Sequence, residues 1–169
     1  MKRKPERGEG ATPDSPGPPD PREIRERALG LLARREHAVL ELKRKLLQRG
    51  YPADLIASTL AGLSAEGLLS ETRYADEWAR SRVARGQGPV RIRAELRQSG
   101  LTDAQVQRAL AGVDADWGRL ATDVRRKRFG NEPPATLAER ARQTRFLESR
   151  GFTADHIRQA MGDAGEPSP

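Results

Sequence analysis

Three stretches of the chain set apolar residues in one order around a glycine: KLLQRGYPADLIASTL (45–60), ELRQSGLTDAQVQRAL (95–110) and FLESRGFTADHIRQAM (146–161). Leu46, Leu96 and Leu147 stand four residues before Gly50, Gly100 and Gly151. Tyr51, Leu101 and Phe152 follow those glycines directly, and Ile56, Val106 and Ile157 come six residues after them. A helix that ends on a left-handed glycine folds the residue after the glycine back onto the residue four before it. Thr102 and Thr153 suit the N-cap of a following helix, and Pro52 stands at the same place in the first copy. The large residue then lies just before that cap and meets the fourth helical position, Ile56, Val106 or Ile157, as a hydrophobic staple. Thr102 with Gln105 also fits a capping box. The pattern predicts three helix–turn–helix joints, each fastened by one apolar side chain.

Each joint has helical sequence upstream. Ala28, Leu31, Leu32 and Leu40 set apolar positions across 22–49, room for two helices. Tyr74, Ala75, Trp78 and Val83 predict a helix over 71–85, GQGP (86–89) breaks it, and Val90, Ile92 and Leu96 carry the next. Trp117, Leu120 and Val124 predict a helix over 114–128, followed by the loop FGNEPPAT (129–136) and a helix to Arg150. No stretch alternates at period two, so no sheet is expected. The predicted fold class is all-α: three tandem three-helix repeats, at 22–66, 67–113 and 114–161, forming an elongated curved array. Units too small to bury enough surface alone stack on their neighbours. Residues 1–21 and 162–169 are rich in Pro and Gly and are expected to be disordered tails.

Composition agrees with small shared cores, since hydrophobic residues are 36% and aromatics 4% of the 169 residues. The absence of cysteine excludes disulfides and thiolate metal sites. No apolar run approaches the ~18 residues of a membrane span, and the N-terminus lacks the apolar core of a secretion signal. These features predict a cytoplasmic protein, monomeric, with no membrane partner and no cofactor.

Charge narrows the function. The charges of 1–21 cancel and those of 162–169 sum to −2, which leaves +9 on residues 22–161 of a net +7. A basic folded body favours a polyanionic partner. Arg82, Arg85, Arg91, Arg93 and Arg97 cluster with Arg80 against the single Glu95. Lys43 and Arg44 belong to a second cluster, Arg125 and Arg126 to a third, and Arg145 to a fourth. Cations in the last turn of a helix suit its dipole, but Arg91 and Arg93 fall near a helix start and call for another reason. The two histidines, His37 and His156, are isolated, no serine lies in a nucleophile elbow, and GQGP lacks the Lys-Ser/Thr of a phosphate loop. No enzyme is expected.

The chain resembles the bacterial regulatory protein RecX family over residues 28–161. The resemblance rests on Arg73, Tyr74 and Ala75, then on Gly88, Arg91, Ile92, Leu96 and Gly100, and finally on Phe146, Leu147, Arg150, Gly151 and Phe152. Ser70 and Glu71 stand where the family usually shows consecutive aspartates. The resemblance implies an all-helical protein of three three-helix units. It also implies a partner, the RecA recombinase filament on single-stranded DNA, whose ATP hydrolysis, strand exchange and co-protease activity it would suppress. DNA itself is a further expected partner. The candidate filament- and DNA-binding residues are Arg82, Arg85, Arg91, Arg93, Arg97, Lys43, Arg44, Arg125, Arg126 and Arg145. Two other readings stay open: a helix-turn-helix DNA-binding protein reading bases with Gln105, Gln107 and Arg108, and a helical scaffold with a protein partner alone.

Overall fold

The computed structural model describes residues 20–162, and within them every regular element is a helix. The first unit holds α1 (Pro21–Leu32), α2 (Val39–Leu47) and α3 (Ala53–Ala65); the second α4 (Glu71–Ala84), α5 (Pro89–Gln98) and α6 (Asp103–Ala111). The third holds α7 (Trp117–Phe129), α8 (Leu137–Ser149) and α9 (Ala154–Ala160). Residues 1–19 and 163–169, expected as tails, lie outside the described residues. Asp20 and Pro21, grouped with the first tail, instead begin α1. The Asp20 carboxylate accepts the Arg22 N–H at 2.8 Å and Pro21 takes the first helical position, where its missing N–H costs nothing.

Each unit closes its own small core. In the first, Ile24, Ala28, Leu42, Leu46, Ile56 and Leu60 are buried together. In the second, Tyr74, Ala75, Ala79, Ile92, Leu96 and Val106 form the centre. In the third, Ala121, Leu147, Phe152, Ile157, Ala160 and Met161 do so. The outer helices of each unit, α1 with α3, α4 with α6 and α7 with α9, pack on one another, and the middle helix crosses them. In the third unit that approach is very close, since a Cβ at Gly118 would fall 1.7 Å from the Gln159 amide oxygen.

The joints are built locally. Gly50, Gly100 and Gly151 hold φ of +85°, +93° and +87°. Phe152 N–H donates to the Leu147 carbonyl at 3.2 Å and Gly151 N–H to that of Glu148 at 2.8 Å, the paired bonds of a Schellman ending. Leu101 and Gly100 repeat them on Leu96 and Arg97, at 3.3 and 2.9 Å. At the first joint Gly50 N–H bonds the Leu47 carbonyl at 2.9 Å, and Tyr51, half-buried, ties its hydroxyl to Glu23 at 2.5 Å.

Two junctions join the units into an array. Between the first and second, Ala38 leaves its own unit and is buried in the core of the next. Leu40 lies against Gly100, where a Cβ would stand 3.1 Å from its side chain. Between the second and third, the start of α5 seats on the end of α8. Gly88 N–H donates to the Arg150 carbonyl at 2.8 Å and Val90 N–H to that of Gly151 at 3.0 Å. Trp117, read from sequence with the third unit, opens α7 but packs against the second unit's core. Middle helix onto the next unit's glycine joint is therefore the stacking contact of both junctions.

Candidate partner-binding surface

The arginine cluster of the second unit is largely spent on the fold. The Glu95 carboxylate accepts from Arg82 Nε at 2.7 Å, Trp78 Nε1 at 3.1 Å and Arg91 Nε at 3.1 Å. The Arg82 guanidinium also lies 3.9 Å over the Trp78 ring, which adds a cation–π contact. Arg91 reaches across the junction to the Ser149 carbonyl at 3.2 Å. Arg97 pairs with Asp103 at 2.6 Å, both exposed, a contact worth less than about 1 kcal/mol and easily exchanged for an outside anion. The early position of Arg91 in α5 is thus explained by Glu95, one turn along on the same face.

Arg125 is no surface cation at all. It is 4% exposed and donates to the carbonyls of Glu132 at 2.9 Å and Asn131 at 3.2 Å, and to the Gln143 amide oxygen at 3.3 Å. It faces no carboxylate, so burial, with the Arg126 charge beside it, lowers its pKa. It braces the 129–136 loop from inside. Arg85, Arg93, Lys43, Arg44, Arg126 and Arg145 show no ion pair within the described residues. Five of these six are exposed and Arg93 is half-buried.

Two residues absent from the candidate set organise the surface. Arg73 grips the first unit from the second, donating to Glu36 at 2.6 Å and to the carbonyls of Gly67 and Leu68 at 2.9 and 3.3 Å. Glu95 gathers Trp78, Arg82 and Arg91. Isolation of Glu95 within a basic run was the available sign that it serves as a shared acceptor; Arg73 was marked only by its place in the family motif, and its partners, five, six and 37 residues away, were not legible. Two of the three residues that would read bases in a helix-turn-helix, Gln105 and Arg108, are engaged as well, while Gln107 is exposed. Gln105 caps α6 and donates to Glu71 at 2.8 Å, and Arg108 faces Asp76 at 3.4 Å.

Both histidines have structural places. His156 accepts the Thr153 N–H at 3.3 Å and so completes the α9 cap, with its ring edge-on to Phe152. His37, 2% exposed, is buried in the connection between α1 and α2. Its Nδ1–H donates to the Arg35 carbonyl at 2.9 Å, which leaves Nε2 to accept from Lys45 at 3.1 Å, and Glu41 stands 3.7 Å away. Burial lowers the pKa of both rings. Above about pH 6.5 both folded and unfolded histidines are neutral and stability is flat. Below it the unfolded chain takes up protons that the folded chain refuses, so stability falls. The melting temperature is expected to hold between pH 8 and 7 and to drop from roughly pH 6.5 downward, before carboxylates titrate. Circular dichroism melts with NMR titration of the two rings check this; a melting point that rises on mild acidification contradicts it.

Comparison with known proteins places the whole described chain. The family models for the first, second and third three-helix domains of RecX match residues 25–63, 70–110 and 119–161. The regulatory protein RecX of Halorhodospira halophila is 48% identical over 143 residues, which is 85% of this chain and 89% of that one. The chain belongs to the RecX family. The regulatory protein RecX of Pseudomonas syringae pv. tomato is 46% identical over 142 residues, 84% of this chain and 92% of that one. A crystal structure of a regulatory protein RecX superposes with a TM-score of 0.72 at 22% identity, over 85% of this chain and 71% of the other. RecX from Lactobacillus salivarius does so with 0.71 at 19%, over 85% and 95%. These two structures share the all-α fold. Membership supports a regulatory role and points away from catalysis. Among the described residues no helix is long and apolar enough to cross a membrane, and no cluster of His, Asp or Glu has metal-binding geometry.

Proposed function

We propose that the chain regulates the RecA recombinase by binding its filament on single-stranded DNA and suppressing ATP hydrolysis, strand exchange and co-protease activity. The observation that carries this reading is the match to the RecX family through all three units, not one alone. The units, with boundaries at 66/67 and 113/114, act as one monomeric array that bridges neighbouring RecA protomers in the cytoplasm. The contact with the filament falls to those candidate cations that the fold leaves without an ion pair: Arg85, Arg93, Lys43, Arg44, Arg126 and Arg145. Arg82, Arg91 and Arg125 keep the array in shape, and Arg97 can serve either end.

The test is ATP hydrolysis by RecA preassembled on single-stranded DNA, titrated with the chain well below one per RecA. Hydrolysis is expected to fall at low ratios; unchanged hydrolysis with tight binding to naked DNA would move the function to DNA alone. Arg93→Glu should weaken inhibition and leave melting in place. Arg91→Glu should lower the melting temperature, because it sets a second carboxylate beside Glu95 and removes the Ser149 contact.

A further inference from the structure

We propose that the cleft between the second and third units is a seat for the backbone of single-stranded nucleic acid. This rests on the filament reading only in naming a nucleic acid, and it can fail or stand without RecA. A hollow of about 450 Å³ opens where α4, α7 and α8 end together. Its floor is apolar, made of Leu120, Val124 and Phe146, and its rim carries Arg85, Lys127, Arg128 and Arg150. Asp123 is the one acidic residue lining it. A second hollow of about 460 Å³ shares Arg128 and Phe146 and adds Phe129 and Arg142.

The cations are set on aromatic shelves in place of carboxylates. Arg150 lies 5.2 Å over the Phe146 ring, and Arg142 and Arg128 lie 5.4 and 5.9 Å over Phe129. The two rings meet edge to face at 5.2 Å. A ring holds a guanidinium flat without neutralising it, so its N–H edges stay available to an outside anion. Arg82, Arg91 and Arg97 are the contrast, each paired with Glu95 or Asp103.

Helix dipoles explain only part of this charge. Three helix C-termini meet here, and each is worth roughly half a negative charge. Together with Asp123 they offset about half of the five cations, Arg85, Lys127, Arg128, Arg142 and Arg150. The surplus is positive and concave. A duplex is too broad to enter hollows of this size. A single strand can lay a base against the apolar floor or on the flat guanidinium that covers Phe146, and its phosphates along the rim, the combination of stacking surface and cationic groove that single-strand binding uses. The junction bonds from Gly88 and Val90, and the Arg150 contact to the Arg85 carbonyl at 3.4 Å, hold the two sides together.

The experiment is fluorescence anisotropy of the full chain with labelled oligo(dT) over a range of salt. The triple variant Lys127→Gln, Arg128→Gln, Arg142→Gln is expected to bind at least about tenfold more weakly. The slope of log affinity against log salt should fall by about 2, since each phosphate contact on a single strand contributes roughly 0.7. The matched variant Arg22→Gln, Arg27→Gln, Arg34→Gln loses the same net charge from α1 and the turn after it and should bind as the wild type. Equal loss in both variants would mean diffuse attraction and overturn the seat, as would no loss in either, no binding by the wild type, or a duplex competing as well as oligo(dT). Circular dichroism melts establish that both variants fold. RecA ATP hydrolysis with the same proteins separates the two proposals, since inhibition can persist when oligo(dT) binding is gone.

Discussion

Gly88→Ala is expected to destabilise the chain by about 3 kcal/mol through a single methyl group. Gly88 has φ of −84° and ψ of 167°, which alanine adopts freely, so the backbone conformation is not the obstacle. The new Cβ would fall 2.3 Å from the Gly151 carbonyl oxygen and 2.6 Å from the Phe152 nitrogen. Both are backbone atoms of a tight turn and cannot swing aside. The junction must open by about 1 Å to reach ordinary contact. It then loses the bonds from Gly88 to Arg150 and from Val90 to Gly151, each worth about 0.5–1.5 kcal/mol net. The melting temperature should fall by roughly 6–12 °C, taking about 2–4 °C per kcal/mol for a chain of this size. Gly62→Ala is the control of opposite sign. It lies inside α3 with nothing within 4 Å of a new Cβ, and should stabilise by about 0.5–1 kcal/mol. If Gly88→Ala melts like the wild type, the second and third units are not seated through this contact.

Phe152→Ala should cost about 3–4 kcal/mol. Phe152 is 4% exposed and is the largest side chain of a core with five other buried members. It closes the end of α8 on Leu147 and opens α9 on Ile157. The seven-residue α9 is too short to hold a helix by itself. Its amides over 154–160 should therefore exchange hydrogen well before those of α4 and α5. Tyr51→Ala, at the corresponding place in the first unit, should cost less, because Tyr51 is only half-buried, although the bond from its hydroxyl to Glu23 is lost too. A loss below about 1 kcal/mol at Phe152 would mean that the joint is held by something other than this ring.

The joints were legible in sequence because their bonds are short in sequence. Phe152 reaches back five residues to Leu147, and Thr102 reaches forward three to Gln105. Glycine at a positive φ with a leucine four residues before it therefore ends a helix in all three copies, with the full pair of Schellman bonds at the second and third. Helix starts at 71 and ends near 149 followed from the same local chemistry, with errors where composition misled. Asp20 and Pro21 looked like tail because they end a Pro-rich stretch, yet an Asp-Pro pair is also a helix start.

The chain by itself therefore determined an all-α fold with three glycine joints, a basic folded body and a family. Tertiary structure alone decided which cations are free and where the units touch. Arg82 meets Glu95 across 13 residues, Arg91 meets Ser149 across 58, and Ala38, just before α2 of the first unit, is buried in the core of the second. Those pairings depend on how helices cross, and helical periodicity carries no information about crossing partners. The same holds for Arg125, which shares a run of four cations with Arg126, Lys127 and Arg128 but faces inward, because one helical residue in each turn must point at the core.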